Sequence, residues 1–286
     1  MKRRKTFTYV FFSMLTFYSV QVKSQPYLDL AQVQLIRSSS GSGASNNSTP
    51  RIWLLGSELN IPLKSSNGIF LLSPSVTYQQ IDFSEKIEST DIRSIAFPIT
   101  YAHEWNEEWK SSFTFIGRIN ESVNVPAEGG KFQHGYALLN TYKKKEALKF
   151  RFGIYFNNEF FGPFILPLAG IDYKINEKLQ LFGTLPGSMN LEKTIGKKTH
   201  AGFSFRSFTS SYRLPSDSLL RIYDNHIRIF FNYTVAANHI LIAEAGHSLF
   251  RNYRLGLRAD GKTRYTQVDS NDGIIFRIAY AYRLRL

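Results

Sequence analysis

The stretch Ile274-Ile275-Phe276-Arg277-Ile278-Ala279-Tyr280-Ala281-Tyr282-Arg283-Leu284-Arg285-Leu286 decides how the rest of the chain is read. Every even position from 274 to 286 is apolar or aromatic, and the odd positions are Ile, Arg, Ala, Ala, Arg and Arg. Successive side chains of an extended strand point to opposite faces, so this segment has one greasy face and one small or basic face. Leu148, Phe150, Phe152, Ile154 and Phe156 alternate in the same way with Lys149, Arg151, Gly153, Tyr155 and Asn157. Ile227, Ile229, Phe231, Tyr233 and Val235 alternate with His226, Arg228, Phe230, Asn232 and Thr234. The stretches 109–120 and 200–208 follow the rule less strictly.

Alternation by itself also fits a strand of a soluble sandwich. Length separates the two readings. The alternating runs reach about 10–13 residues, whereas a soluble strand averages about 5–6, and roughly 9–11 tilted residues cross a bilayer. A long face bearing arginines also needs water, which a barrel lumen supplies.

Short polar turns are expected at 106–108, 144–146, 176–178, 196–198 and 237–239. Longer or Gly/Pro/Ser-rich links are expected between them, at 82–90, 121–131, 158–163, 213–220 and 254–273, and the Ser/Gly/Asn tract 38–49 is the most irregular of all. Short turns on one rim and long links on the other is the plan of bacterial outer-membrane barrels, with the short turns periplasmic. The rhythm predicts strands over 27–36, 50–61, 69–81, 91–104, 109–120, 132–143, 147–157, 164–175, 178–185, 189–195, 199–212, 221–235, 239–253 and 274–286. That is an all-β, antiparallel up-and-down transmembrane barrel of about 14 strands. If 178–195 is one irregular strand the count falls to 12. Pro74, Pro98 and Pro167 fall inside predicted strands, where a missing N–H interrupts the ladder or marks a bulge.

The start of the chain sets the compartment. Lys2, Arg3, Arg4 and Lys5 precede an uncharged, largely apolar run from Thr6 to Val20, and Val22-Lys23-Ser24 resembles a cleavage site. Residues 1–24 are therefore expected to be a cleaved signal peptide and 25–286 the barrel. The run is short for a spanning helix, which needs roughly 20 apolar residues. The mature segment would keep 30 basic against 22 acidic residues, a net charge of +8. The basic residues are scattered rather than gathered in a stripe, and with export this argues against nucleic acid as a partner. There is no cysteine, which removes thiol catalysis, disulfides and cysteine-ligated metal sites. Aromatic residues make up 15% of the chain. Such richness, without a second long apolar run, suits a barrel that hides its polar face inside.

Pro167-Leu168-Ala169-Gly170-Ile171-Asp172-Tyr173, then Asn176-Glu177-Lys178-Leu179, Leu185-Pro186 and Ser211-Tyr212-Arg213-Leu214 resemble an uncharacterised outer-membrane β-barrel family common in Bacteroidetes. The resemblance covers most of the mature chain and rests on turn and strand signatures. It implies a barrel in the cell outer membrane and no activity or cofactor.

The sequence offers no convincing catalytic or metal constellation. In Glu244-Ala245-Gly246-His247-Ser248, His247 and Ser248 project to opposite faces of a strand, so they cannot form a nucleophile–base pair. His103-Glu104 with Glu107-Glu108 lacks metal-ligand spacing and reads as a charged hairpin between Trp105 and Trp109, whose rings suit the headgroup level. The protein is thus expected not to be an enzyme. The informative set is the basic residues on polar strand faces: Lys110, Arg118, Lys149, Arg151, Arg206, Arg228, Arg277, Arg283 and Arg285, with Asp172 and Glu244 as partners. They predict either a lumen braced by ion pairs or a field that favours small anionic solutes. A channel or solute-binding barrel with a basic lumen is the leading expectation. A plugged structural or interaction barrel comes second, and an outer-membrane lipid hydrolase third. A soluble exported sandwich is the fourth. Expected partners are outer-membrane lipids and the barrel assembly machinery.

Overall fold

The structure, a computed structural model of the full chain, describes residues 26–40, 51–83, 89–124, 132–259, 262–268 and 271–285. The predicted signal peptide lies outside the described residues, as does most of the 38–49 tract.

Among the described residues, seventeen β-strands form one sheet that closes on itself. In chain order they are β1 (Tyr27–Ser40), β2 (Arg51–Leu59), β3 (Ile61–Ser65), β4 (Gly68–Leu72), β5 (Ser75–Asp82), β6 (Thr90–Glu104), β7 (Trp109–Ser122), β8 (Phe132–Lys145) and β9 (Leu148–Glu159). They continue as β10 (Gly162–Asn176), β11 (Leu179–Leu185), β12 (Ser188–Gly196), β13 (Thr199–Arg213), β14 (Leu219–Ala236), β15 (His239–Ala259), β16 (Lys262–Val268) and β17 (Gly273–Arg285). β2 with β3, and β4 with β5, are single staves broken at Asn60 and at Ser73-Pro74. β16 folds back on the far end of β15. The wall therefore has the predicted fourteen staves, each antiparallel to its neighbours. It closes where β1 meets β17, from Tyr27↔Arg285 to Ser40↔Gly273.

The tight turns at 66–67, 105–108, 146–147, 177–178, 197–198 and 237–238 share one rim with the Tyr27 and Arg285 ends. This is the periplasmic rim by the short-turn rule. On the opposite rim, three expected links are shorter than the sequence suggested. The link 158–163 is a turn at Phe160-Phe161, closed by Gly162 in a positive-φ conformation that glycine adopts without strain. The link 213–220 is a 3-10 turn at Pro215–Asp217. Most of 254–273 is the hairpin of β15 and β16, which pair from Tyr253↔Val268 to Ala259↔Lys262. Polar composition marked these segments as loops, but paired backbone does not require apolar side chains.

The prolines sit where the ladder is interrupted. Pro74 occupies the break between β4 and β5, and Pro98 lies opposite it, accepting from the Ser73 N–H. Pro167 is on a stretch of β10 that has no β11 neighbour.

The predicted faces hold. Arg151 is 5% exposed, while Phe150 and Phe152 beside it are 39% and 46% exposed. Ile278, next to the buried Arg277, is 67% exposed. Val33, Leu55, Phe97, Phe113, Leu138, Ile229 and Phe276 continue the outward apolar face around the wall. A closed barrel leaves no second sheet to cover that face, so it meets hydrocarbon, and closure satisfies the backbone there. Trp105 and Trp109 are exposed at the periplasmic rim, with Trp109 tilted against Tyr142. The protein is an outer-membrane β-barrel. None of its described helices is long and apolar enough to cross a membrane.

Among the described residues, the larger of two buried apolar clusters lies inside the barrel at the outer end. Ile52, Ile81, Ile92, Tyr212, Leu214, Leu220, Ile222, Tyr253 and Val268 converge there from six staves, β2, β5, β6, β13, β14 and β15 with its β16 hairpin, and the linking turn. Phe83 packs edge-on to Tyr253.

Candidate functional site: the lumen

Inward positions at mid-wall and below are mixed: a small apolar cluster of Ile240, Ile242, Ala279 and Ala281 lies beside charged and amide side chains. Glu244 of β15 lies between two guanidiniums: Arg228 Nη1 on β14 is 2.7 Å from one oxygen and Arg277 Nη1 on β17 is 2.6 Å from the other. Arg277 also donates to the Gln34 and Gln32 side-chain oxygens on β1, at 2.6 and 2.8 Å. Arg283 grips Asp29 of β1 through Nε (2.5 Å) and Nη2 (2.9 Å), and its guanidinium lies 3.6 Å over the Tyr27 ring. These contacts stitch the seam between β1 and β17 from inside. Two charge-assisted bonds in a fork fix geometry as well as adding energy.

The other predicted basic residues are also engaged. Lys110 pairs with Glu104 at 3.2 Å, Arg151 with Asp172 at 3.6 Å, and Arg285 with Glu192 at 3.0 Å. Lys149 is directly across the β9–β10 ladder from Asp172. Arg118 donates to the Tyr155 hydroxyl and to Asn157 Oδ1, at 2.8 and 2.6 Å. Arg206 donates to Asn190 Oδ1 and to the Phe205 carbonyl, both at 2.9 Å, and no carboxylate among the described residues lies within salt-bridge distance of it.

Sequence reading found Asp172 and Glu244 as counter-charges but missed Asp29, Glu104 and Glu192. Asp29 and Glu192 meet their arginines only through the barrel's closure. A second missed group is Asp224 with Arg251, 2.9 Å apart and both buried, and Arg251 reaches Ser38 as well. Strict alternation from Glu244 points Phe250 inward and Arg251 outward. The chain instead bulges at Phe250, which takes a positive φ and is 79% exposed, and Arg251 turns inside to 5% exposure.

The structure also brings together a pair that linear spacing hid. His226 of β14 is directly opposite Ser248 of β15, with Asp224 Oδ2 3.1 Å from His226 Nε2. This is no nucleophile–base pair. Both imidazole nitrogens are engaged, one by Asp224 and one by Arg228, and Ser248 Oγ bonds the Gly273 backbone N–H at 2.6 Å. At the periplasmic rim, His103 bonds the Asn67 carbonyl and packs on Trp105, while Glu104 goes to Lys110.

Below the apolar cluster lies a cavity of about 540 Å³, bordered by Gln34, Gln79, Asn190 and Asn232. Four arginines (Arg206, Arg228, Arg277, Arg283) and three carboxylates (Asp29, Glu58, Glu244) line it.

A family model covers residues 64–271, from β3 to the link before β17. The chain belongs to the DUF6268 family. This family is defined as a domain of unknown function. No curated protein matches the DUF6268 chain in sequence. Among solved structures it is similar to a Pseudomonas aeruginosa FadL homologue, at 10% identity over 88% of each chain with a TM-score of 0.48. It is also similar to the NanC porin, at 9% identity over 89% of this chain and 100% of that one, with a TM-score of 0.40. The Pseudomonas putida toluene transporter TodX is similar at 9% identity over 89% and 90%, with a TM-score of 0.37. Likeness at this level assigns no solute to the DUF6268 barrel.

Proposed function

We propose that this protein is a channel or solute-binding barrel, closed at its outer end by the apolar cluster and able to hold a small polar or anionic solute in the chamber beneath. The observation that carries the reading is the cavity of about 540 Å³, walled by amides and charges and roofed by hydrocarbon side chains. A structural barrel has no use for such a chamber, since side chains can fill a lumen at lower cost. Four arginines against three carboxylates, with Arg206 bound only to neutral oxygens, favour anions over cations. On this reading outer-membrane lipids surround the wall, and the barrel assembly machinery inserts it.

Planar-bilayer recording tests the proposal. Wild-type protein should show rare, small openings, and Tyr253→Ala with Ile92→Asn should raise conductance by weakening the apolar roof. Silence in both, together with no binding of small anions, would favour the plugged barrel. One observation supports that second reading: Ile81, Ile92, Leu220 and Tyr253 in the roof are fully buried.

A further inference from the structure

The wall is not continuous over its whole height. β11 begins its ladder with β10 only at Ala169↔Leu185, and β12 meets β13 only up to Ser188↔Arg206. Beyond that level, residues 162–168 of β10 pair with β9 alone. Residues 207–213 of β13 pair with β14, and touch β7 at Arg213↔Glu121. Two staves are therefore missing over about 7 residues, roughly 23 Å of strand at about 3.3 Å per residue.

Both edges of this gap are built rather than frayed. The Lys174 N–H bonds the Ala147 carbonyl, so even-numbered residues of β10 direct their backbone groups to β9. Residues 163, 165 and 167 then direct theirs into the gap, and two of these three are proline. An N–H left unpaired at membrane depth is costly, and proline removes it while blocking strand addition. The β13 edge is turned inward, where the Ser211 carbonyl accepts from Asn120 Nδ2 and Gln133 Nε2, both at 3.1 Å. Beside the gap, Arg221 on the outward face of β14 reaches Glu159 of β9 at 2.7 Å. The floor is the turn at Pro186-Gly187, where the Gly187 carbonyl accepts the Ser207 N–H.

The chamber reaches this floor. Ser188, Ser207 and Phe208 line it there, next to Arg206. Phe208 is 36% exposed although strand parity directs it inward, and the lipid-facing Ile165 and Leu185 flank the opening. The outer end of the gap is bridged, since the Phe160 N–H bonds Ser211 Oγ at 3.1 Å and Arg221 lies over the Phe161 and Phe164 rings. The break that remains lies between that bridge and the Pro186-Gly187 turn, beside the chamber.

We infer that this gap is a lateral portal for a single-chain amphiphile with an anionic head. The head is held by Arg206 in the chamber and the tail lies along Phe208 towards lipid. The inference extends the solute-binding reading by naming a substrate class and a route.

The test uses the full chain purified from outer membranes, with folding of each variant checked by heat-modifiable gel mobility. In a background carrying Trp53→Phe, Trp105→Phe and Trp109→Phe, single tryptophans are placed by Phe208→Trp, Phe203→Trp and Phe230→Trp. Vesicles of phosphatidylcholine with brominated acyl chains then quench whichever ring meets lipid. Phe203→Trp, outward, should be quenched and Phe230→Trp, inside, should not. Phe208→Trp should approach the outward control, and protection equal to Phe230→Trp overturns the portal. Binding of cis-parinaric acid, a fluorescent single-chain carboxylate, should be saturable and weaken about tenfold in Arg206→Gln. Arg206→Lys, which keeps the charge, should stay within about threefold. Equal affinity of wild type and Arg206→Gln overturns the assigned head site. A barrel silent in planar bilayers that still passes both tests refutes the channel reading alone. A conducting barrel with a protected Phe208→Trp refutes the portal alone.

Discussion

The arc from β14 through β15 and β17 to β1 and the arc from β10 to β13 solve the same problem differently. β14 and β15 are 18 and 21 residues long and pair along most of that length, whereas β11 and β12 have only 7 and 9. In the complete arc the staves pair with a neighbour on both sides over most of their length, interrupted only by bulges. Carboxylates bridge arginines across strands there, as Glu244 does between Arg228 and Arg277. In the short arc the edges must be quieted by other means: prolines at 163 and 167, and the Asn120 and Gln133 amides on the Ser211 carbonyl. A barrel can thus give up part of its wall provided that each exposed edge is neutralised locally.

The largest expected effect that would break this comparison lies in the complete arc. Glu244→Leu leaves two buried guanidiniums without counter-charge and should cost about 3–5 kcal/mol in urea unfolding from lipid vesicles. A loss below 1 kcal/mol would mean that water, not Glu244, solvates them. Next comes close approach within the same arc. A Cβ on Gly246 would sit 2.0 Å from the Ile227 carbonyl oxygen, so Gly246→Ala should destabilise by about 1–3 kcal/mol. In the short arc, Ser211→Ala removes the acceptor of the Phe160 N–H and one partner of Gln133, which points to a loss of about 1–3 kcal/mol. Hydrogen exchange sharpens the contrast between the arcs. Amides of residues 207–213 should exchange faster than those of 226–234, because one side of their strand has no full partner. At the small end, Glu146→Gln at the periplasmic rim removes an exposed pair with Lys143 and should leave the unfolding midpoint unchanged.

Much of the wall was legible in the residues. The period of two at 148–157, 227–235 and 274–286 assigned faces correctly because a strand inside a closed sheet alternates rigidly. Of the basic residues singled out for the lumen, Arg151, Arg228, Arg277 and Arg283 are buried, while Arg285 is exposed at the rim. Pairing was harder to read. Glu192 is 93 positions from Arg285, and Asp29 is 254 from Arg283, so only closure of the barrel makes them neighbours. The bulge at Phe250 carries no glycine or proline to announce it, and it turns Arg251 inward against strict alternation from Glu244. The link expected at 254–273 has the polarity of a loop, yet residues 253–259 and 262–268 pair as a hairpin.

The sequence by itself determined that oily and polar residues would part to opposite sides of long strands, and hence which solvent each side meets. Alternation is a local property, set by the geometry of a single extended chain. Only the tertiary structure decided how far each ladder runs, which carboxylate answers which arginine, that an apolar cluster gathers inside the outer end and that two staves stop short beside β10. Those facts depend on register and closure among staves remote in sequence, and periodicity within one strand holds no information about either.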